Sequence, residues 1–216
     1  MRAITSFGPE GYKVYGKQML EDWVKFSTIP LIAYVEEEGD YPVESRLLWD
    51  VPNVRAYVQN TAPTENYRYD VHKFCRKSFV QIQALREFNE PVFRFDADIV
   101  LRGPLPDLMP FIDGTFIAYM GRKNHYPCTS FIGFNVHEDR QKFVDAYEAI
   151  YMTGSIYDIP EWHDAYVFDW VRQKTKVASR DIAKDTGASG SANVFDLVFP
   201  MGHHKKGPRK YGMKKG

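Results

Sequence analysis

Strand-like and helix-like segments alternate through the first hundred residues of the chain. Short apolar runs predict four β-strands at residues 3–7, 31–35, 54–58 and 92–95. Residues 12–26 and 71–88 instead carry apolar side chains at helical spacing, with charged residues between them. Because strands that alternate with helices usually belong to a parallel sheet, this order predicts a doubly wound α/β fold whose central, mostly parallel sheet is flanked by helices.

The second half of the chain continues this pattern less regularly. Further strands are predicted at residues 115–119, 130–135, 176–178 and 194–199. Further helices are predicted at residues 143–151 and 161–171. No internal repeat, low-complexity block or linker divides the 216 residues, a length that suits one sizeable core. We therefore expect a single domain over residues 1–216, ending in a basic arm at residues 203–216.

The composition is that of an ordinary globular protein, with 44% hydrophobic and 26% charged residues. The formal net charge is zero, yet residues 203–216 hold six lysine or arginine residues and no acid. This imbalance favours a local anion site over a general nucleic-acid surface. The two cysteines, Cys75 and Cys128, imply no disulfide framework. Because no segment has the apolar length of a signal peptide or a membrane span, we expect a cytoplasmic protein with no membrane span.

The last of the four early strands ends in two closely spaced carboxylates. Asp96 and Asp98 flank the small residue Ala97. Side chains at i and i+2 of an extended segment point to the same side, and at the carboxyl end of a strand that side faces the crevice where α/β proteins bind ligands. Because two such carboxylates repel each other, the pattern predicts a divalent cation between them. The alternative is a solvated turn after a strand.

The basic arm contains a second motif. His204, Gly207 and Lys210 follow the spacing H-x-x-G-x-x-K. An imidazole is a good ligand for a transition metal such as Mn²⁺ and would add a nitrogen to the two carboxylate oxygens. Gly207 allows backbone N–H groups to approach phosphate oxygens, and Lys210 places a positive charge beside them. His203 is the alternative ligand if the register is shifted by one residue, and a disordered basic tail is the alternative to both.

The D-x-D motif at residues 96–98 and the C-terminal H-x-x-G-x-x-K motif together resemble the nucleotide-sugar glycosyltransferases of the GT-A fold, and family 8 in particular. In that family the two motifs share one manganese ion. The resemblance implies a Rossmann-like GT-A fold in which Asp96, Asp98 and His204 hold Mn²⁺ or Mg²⁺. It also implies a nucleoside diphosphate sugar as donor, expected to be a UDP-sugar, and a glycan or another hydroxyl compound as acceptor.

The same resemblance assigns further residues to the donor. Residues 73–77 resemble the basic stretch that these enzymes turn toward the donor, which implies contacts from Arg76 and Lys77. The first strand would hold the nucleotide, and the two motifs would complete the site. The donor-binding residues expected outside the basic stretch are Thr5, Ser6, Phe7, Asp96, Ala97, Gly207 and Lys210.

Residues 161–164, with the sequence EWHD, resemble the segment that many small GT-A enzymes place at the reacting sugar. This likeness implies catalytic roles for His163 and Asp164. Asp164 would act as a general base for the acceptor hydroxyl or as a carboxylate that stabilises positive charge on the sugar. A third interpretation is a helix-terminal acid that only complements the helix dipole. Family likeness favours retention of the anomeric configuration, whereas a base at Asp164 would favour inversion.

Three other functions remain open at the level of sequence. The basic arm and the many aromatic residues allow a glycosyltransferase that acts on hydroxymethylated bases in DNA. A sugar nucleotidyltransferase would share the α/β fold, although the chain has no glycine-rich phosphate loop with a basic residue after the first strand. A non-enzymatic binding module with a basic tail is the third.

Overall fold

The computed structural model describes residues 1–191 and 193–205. Its nine strands are β1 (Arg2–Phe7), β2 (Leu31–Val35), β3 (Glu44–Leu47), β4 (Val92–Phe95), β5 (Ile99–Leu101), β6 (Ile117–Arg122), β7 (His125–Phe134), β8 (Ser179–Asp181) and β9 (Gly202–His204). Its α-helices are α1 (Pro9–Gly11), α2 (Lys17–Phe26), α3 (Val54–Gln59), α4 (Val71–Glu87), α5 (Met109–Ile112), α6 (Asp139–Met152), α7 (Asp164–Thr175), α8 (Ile182–Asp185) and α9 (Val194–Val198). A π-helical turn, Tyr12–Gly16, joins α1 to α2.

Seven strands form one central sheet in the order β3-β2-β1-β4-β7-β6-β8. Four of its six neighbouring pairs are parallel, and β7 is antiparallel to both of its neighbours. The two remaining strands, β5 and β9, pair antiparallel in a small separate sheet. The predicted fold class, an α/β fold with a mostly parallel sheet flanked by helices, is confirmed.

Strand side chains alternate between two hydrophobic clusters, one on each face of the central sheet. On β4, Val92 belongs to the cluster packed with α3, α4, α6 and α7, whereas Phe93 and Phe95 belong to the cluster packed with α2, α5 and α9. This period of two is what an extended chain imposes. Arg94 and Asp96 continue the first face, so β4 carries two charged side chains toward α4 and α7.

Helix α4 leads directly into β4 and sets the position of the basic stretch. Its first turn is capped by Asp70, whose carboxylate accepts the N–H of Lys73 at 3.1 Å. Its inner face buries Cys75, Phe79 and Ile82 among other residues. The predicted helix at residues 71–88 is confirmed, and Arg76 and Lys77 lie on its side nearest the carboxyl ends of β1 and β4.

Two predicted strands are wrong, and both are helices. Residues 54–58 belong to α3 because their apolar side chains recur at helical spacing. Val54 is buried, and the Tyr57 ring meets Phe79 of α4 at 5.6 Å. The third strand of the sheet is instead the polar edge strand Glu44–Leu47, which has no apolar run to reveal it.

Residues 194–198 of the strand predicted at 194–199 likewise form α9. Val194, Phe195, Val198 and Phe199 are all buried, a spacing of one and four residues that suits a helix. The strand predicted at 176–178 begins three residues later, at Ser179. The displacement follows from Lys176, whose left-handed backbone (φ 51°) ends α7.

Within residues 1–191 and 193–205, none of the helices combines the length and apolar character that a membrane span requires.

Candidate metal and donor site

Three potential metal ligands meet at the carboxyl end of β4. Asp96 and Asp98 follow the strand directly, and His204 lies on β9. In the pairing of β5 with β9, Ile99 lies opposite His204. This pairing places His204 next to the two carboxylates. One ligand atom from each of the three residues lies within 4.8 Å of the others. Two hard oxygens and one imidazole nitrogen form a donor set that suits Mn²⁺ and also accepts Mg²⁺.

Of the two neighbouring histidines, His204 is the one that lies beside the carboxylates. Its Nε2 lies 3.1 Å from Asp98 Oδ1, and the following N–H, of Lys205, donates to the Asp98 carbonyl at 2.9 Å. His203 points elsewhere, with its Nδ1 2.6 Å from Asp196 Oδ2 on α9. The alternative register, with His203 as ligand, therefore does not bring an imidazole to the carboxylate pair. Gly207 and Lys210 lie outside the described residues.

His204 holds a proton strongly in the protein without metal. Burial alone would lower its pKa, but hydrogen bonds to Asp98 and Cys128 raise that pKa to about 9. A metal ion must displace this proton, because only a neutral imidazole can coordinate.

We therefore expect Mn²⁺ binding to release one proton and to weaken by about tenfold for each pH unit below about 9. The measurement is calorimetric titration of Mn²⁺ in two buffers with different ionisation enthalpies. His125→Gln, which removes an exposed imidazole outside the cluster, is the control and should release the same proton. Manganese binding by the unsubstituted protein without proton release at pH 7.5 would contradict the role of His204.

Asp196 is a residue that the sequence did not single out, and it holds both histidines in place. One carboxylate oxygen contacts the His203 ring, and the other accepts the His204 backbone N–H at 3.0 Å. Asp196 therefore fixes β9 without touching the proposed ligand position itself.

Removing this carboxylate should loosen β9 and weaken metal binding. We expect Asp196→Ala to lower Mn²⁺ affinity by about tenfold or more, as loss of residues that orient metal ligands commonly does. Manganese titration of the variant checks this expectation. Asp185→Ala, which removes an exposed carboxylate paired with Arg180, is the control and should bind Mn²⁺ normally. Equal affinities in the two variants would rule out the orienting role.

Next to the candidate metal ligands lies a network of two cations and two carboxylates, in which Arg94 and Asp164 are buried and Lys77 and Asp96 are partly exposed. The Arg94 guanidinium, 4% exposed, donates from one nitrogen to Asp96 at 2.7 Å and to Asp164 at 3.3 Å. Lys77 Nζ lies 2.7 Å from Asp96 and 3.7 Å from Asp164. Thr129 also donates its hydroxyl to Asp164, at 3.3 Å. The network therefore links the D-x-D segment to the start of α7.

These cations determine the charge state of the first carboxylate. Burial opposes the ionisation of Asp96, but Arg94 and Lys77 outweigh it and hold the pKa of Asp96 far below its usual range. In turn, Asp96 and Asp164 raise the pKa of Lys77 despite its burial. Asp96 is thus a permanent anion and Lys77 a permanent cation at neutral pH. Arg94 was missed in the sequence because it lies inside an apolar strand and its partner Asp164 is 70 residues away.

His163 is the N-cap of α7 and is only 3% exposed. Its Nδ1 accepts the N–H of Tyr166 at 3.4 Å, and its Nε2 lies 2.9 Å from Glu161. Both ring nitrogens are therefore engaged in contacts that start the helix. Asp164, the next residue, is 5% exposed and faces the network rather than open solvent.

A cleft of about 360 Å³ opens at the carboxyl ends of β1 and β2. Of the predicted donor-binding residues, Ser6, Phe7, Arg76 and Lys77 line it. Thr5 does not, since it is buried in β1 with 1% exposure. Ala97 is also buried and packs into the core beneath the carboxylates. Because Lys77 belongs both to the cleft wall and to the network of cations and carboxylates, the cleft adjoins the metal ligands.

Glu36 is a further cleft residue that the sequence did not assign. It ends β2 and pairs with Arg76 at 2.8 Å, and its side chain lies against Gly8. A Cβ at Gly8 would lie 2.9 Å from the carboxylate, so a larger residue there would displace the end of the Glu36 side chain. The cleft wall thus offers two acidic and three basic side chains, a mixture that can contact both the polar edge of a nucleobase and a diphosphate. The acidic run at residues 36–38 was the available signal.

Comparison with solved structures relates this fold to glycosyltransferases. The chain is similar to the apo form of mouse xyloside xylosyltransferase 1, with a TM-score of 0.53 and 9% identity, over 83% of this chain and 84% of that one. It is also similar to the bifunctional glycosyltransferase WbbM, with a TM-score of 0.52 and 11% identity over 84% of this chain. A third similar structure is the glycosyltransferase GlyE of Streptococcus pneumoniae TIGR4, with a TM-score of 0.51 and 14% identity over 95% of this chain.

The chain spans only 38% of WbbM and 54% of GlyE. No family model and no curated protein matches the chain at the level of sequence. The likeness therefore establishes the fold, a mixed α/β fold shared with glycosyltransferases.

Proposed function

We propose that this chain is a divalent-metal-dependent glycosyltransferase that moves a sugar from a nucleoside diphosphate sugar to a hydroxyl acceptor. The observation that carries the proposal is the cluster of Asp96, Asp98 and His204 at the edge of a glycosyltransferase-like fold, beside a cleft with basic walls. We take the metal to be Mn²⁺ or Mg²⁺, the donor to be a UDP-sugar, and the closest family to be family 8.

A bound metal ion would supply positive charge to a departing diphosphate. The residues of this chain would do the rest. Asp96, Asp98 and His204 would fix the ion at the end of β4, and Ser6, Phe7 and Arg76 would hold the nucleotide in the cleft. Lys77 lies between the cleft and the metal ligands, where its charge would stabilise the diphosphate as the bond to the sugar breaks.

Asp164 fits a supporting role better than that of a general base. A general base must reach the proton of an acceptor hydroxyl, whereas the Asp164 carboxylate is 5% exposed and already contacts Arg94, Lys77 and the Thr129 hydroxyl. We propose that Asp164 keeps Lys77 charged and oriented toward the donor. This role removes the argument for inversion and leaves retention, which the family resemblance favours.

The test is a thermal-shift and donor-hydrolysis screen of UDP-, GDP- and TDP-sugars, each with and without Mn²⁺. We expect UDP-sugars to raise the melting temperature only when Mn²⁺ is present, because a ligand stabilises the folded state that binds it. Asp113→Asn, a substitution at an exposed position, is the control and should respond like the unsubstituted protein. If no nucleotide sugar changed the melting temperature, with or without Mn²⁺, the chain would be a binding module instead.

A further inference from the structure

A group of partly exposed aromatic side chains surrounds the segment that precedes Asp164. We call Tyr67, Tyr69, Tyr126, Tyr157 and Trp162 the aromatic platform. Tyr67, Tyr69 and Tyr157 are 52%, 39% and 50% exposed, and among the described residues they are the three exposed phenylalanine, tyrosine or tryptophan side chains. Exposed rings grouped in this way mark binding surfaces more often than isolated ones do.

The platform is held rigidly around two consecutive residues. Trp162 meets the edges of Tyr69 at 5.2 Å and Tyr157 at 5.0 Å. His163 meets the rings of Tyr126 at 4.4 Å and Tyr67 at 5.8 Å. Edge-to-face contacts of this kind fix ring orientation.

Three separate parts of the chain contribute to the platform. Tyr67–Tyr69 forms a 3₁₀ turn before α4, Tyr126 lies at the start of β7, and Trp162 precedes α7. A backbone hydrogen bond of 2.6 Å from the Trp162 N–H to the Arg68 carbonyl ties the first part to the third.

The aromatic platform lies next to the proposed reaction centre at Lys77 and Asp164. Phe74 of α4 lies between them, with its ring 6.1 Å from His163 and 5.9 Å from the Lys77 ammonium. The donor cleft lies on the other side of Lys77. The order along the surface is therefore cleft, then Lys77 with Asp164, then platform. In a transferase that order places the acceptor on the platform.

The chemistry of the platform selects a polyhydroxylated, uncharged ligand. Its rings offer flat apolar faces, which suit the C–H faces of a pyranose, together with four phenol hydroxyls at their edges. The Trp162 indole N–H donates to the Ile159 carbonyl at 3.1 Å.

The rim of the platform carries two bases, Arg68 and Arg122, and two acids, Glu161 and Asp158. Glu161 lies 3.7 Å from Arg68, the Arg122 guanidinium lies 4.8 Å from the centre of the Tyr126 ring, and Asp158 follows Tyr157 in the same turn. An acidic or phosphorylated acceptor would find no net positive charge among these residues.

We infer that the aromatic platform is the acceptor subsite and that it takes a neutral glycan of more than one sugar ring. This inference rests on the proposed function for its catalytic meaning, but glycan binding itself does not require a donor. It also gives His163 a role as the buried support of the platform rather than as an acid or base.

Glycan binding should be measured without donor, by saturation-transfer NMR and calorimetric titration. The probes are the neutral oligosaccharides cellotetraose, maltotetraose and chitotetraose, with an oligogalacturonate as the acidic comparison. We expect at least one neutral probe to bind and the acidic one not to bind. The absence of binding by every neutral probe, or preference for the acidic one, would overturn the inference.

Substitutions then locate the binding surface. We expect Tyr69→Ala and Tyr67→Ala each to lower the affinity for the neutral glycan by about tenfold. Tyr69→Phe should retain most of the affinity because the ring remains. Val24→Ala removes an exposed apolar side chain on α2 and is the control, with unchanged binding expected. Equal affinity in Tyr69→Ala, Tyr67→Ala and the unsubstituted protein would place the glycan elsewhere and overturn the inference.

A parallel thermal shift with UDP and Mn²⁺ separates the two proposals. We expect both alanine variants to keep the full shift, since neither residue lines the donor cleft. Loss of glycan binding with an intact nucleotide shift supports the acceptor subsite. Glycan binding in a protein that never responds to nucleotide and metal would contradict the proposed function and, with it, the role of the platform as an acceptor site.

Discussion

We expect the Asp98→Asn variant to lose the manganese-dependent rise in melting temperature and at least about 100-fold of the transfer rate, the scale at which single groups that stabilise developing charge commonly act. The side chain keeps its size, and its amide can still contact His204 at the 3.1 Å position. What it loses is the negative charge that a divalent ion requires. The paired measurements are a thermal shift with Mn²⁺ and UDP and an assay of donor turnover.

His204→Ala should behave like Asp98→Asn in the metal response, because both remove a ligand from the same cluster. The Asp113→Asn control should retain both the shift and the turnover. A normal manganese response in either ligand variant would show that the ion binds elsewhere and that the assigned ligand set is wrong.

Arg94→Met should produce the largest loss of stability of any single substitution considered. Arg94 is 4% exposed and serves both Asp96 and Asp164. Methionine fills much of its volume but leaves two carboxylates with Lys77 as their remaining cation. Breaking a buried ion pair in this way costs about 3–5 kcal/mol of unfolding free energy. Chemical denaturation of the variant and of the unsubstituted protein gives the difference directly.

Two further variants make this prediction specific. Arg94→Met combined with Asp164→Asn should recover part of the lost stability, because the second change removes one of the two carboxylates that lost Arg94 as a partner. Arg86→Met breaks a surface pair with Glu148 and should cost less than about 1 kcal/mol. If Arg94→Met cost no more than Arg86→Met, the network of cations and carboxylates would have no structural importance.

The early part of the fold was readable because local patterns and tertiary packing agree there. The run at residues 31–35 is a fully buried strand, and the run at residues 3–7 is buried except for Ser6. Residues 71–88 carry a helical stripe with a capping acid before it. The failures occur where that agreement is weaker. Residues 54–58 and 194–199 are apolar enough for a strand, and in runs this short helical spacing is distinguished from a strand pattern by how the side chains pack.

The candidate site was partly readable for a similar reason. The spacing of Asp96 and Asp98 and the motif around His204 are visible in the sequence. Through the family resemblance, these residues could be assigned to one site although they lie over 100 residues apart. Arg94 and Asp196 carry no such pattern. Arg94 meets Asp164 because β4 packs beside the start of α7, and Asp196 meets both histidines because α9 packs beside β9. No local sequence pattern reveals either contact.

The most direct test of the central claim is a crystal structure with Mn²⁺ and UDP, in which anomalous scattering locates the manganese. We expect one manganese peak in contact with Asp96, Asp98 and His204, with the UDP diphosphate on the same ion and its nucleoside in the cleft between Phe7 and Arg76. A peak that contacts none of these three side chains, or UDP bound away from this cleft, would contradict the account.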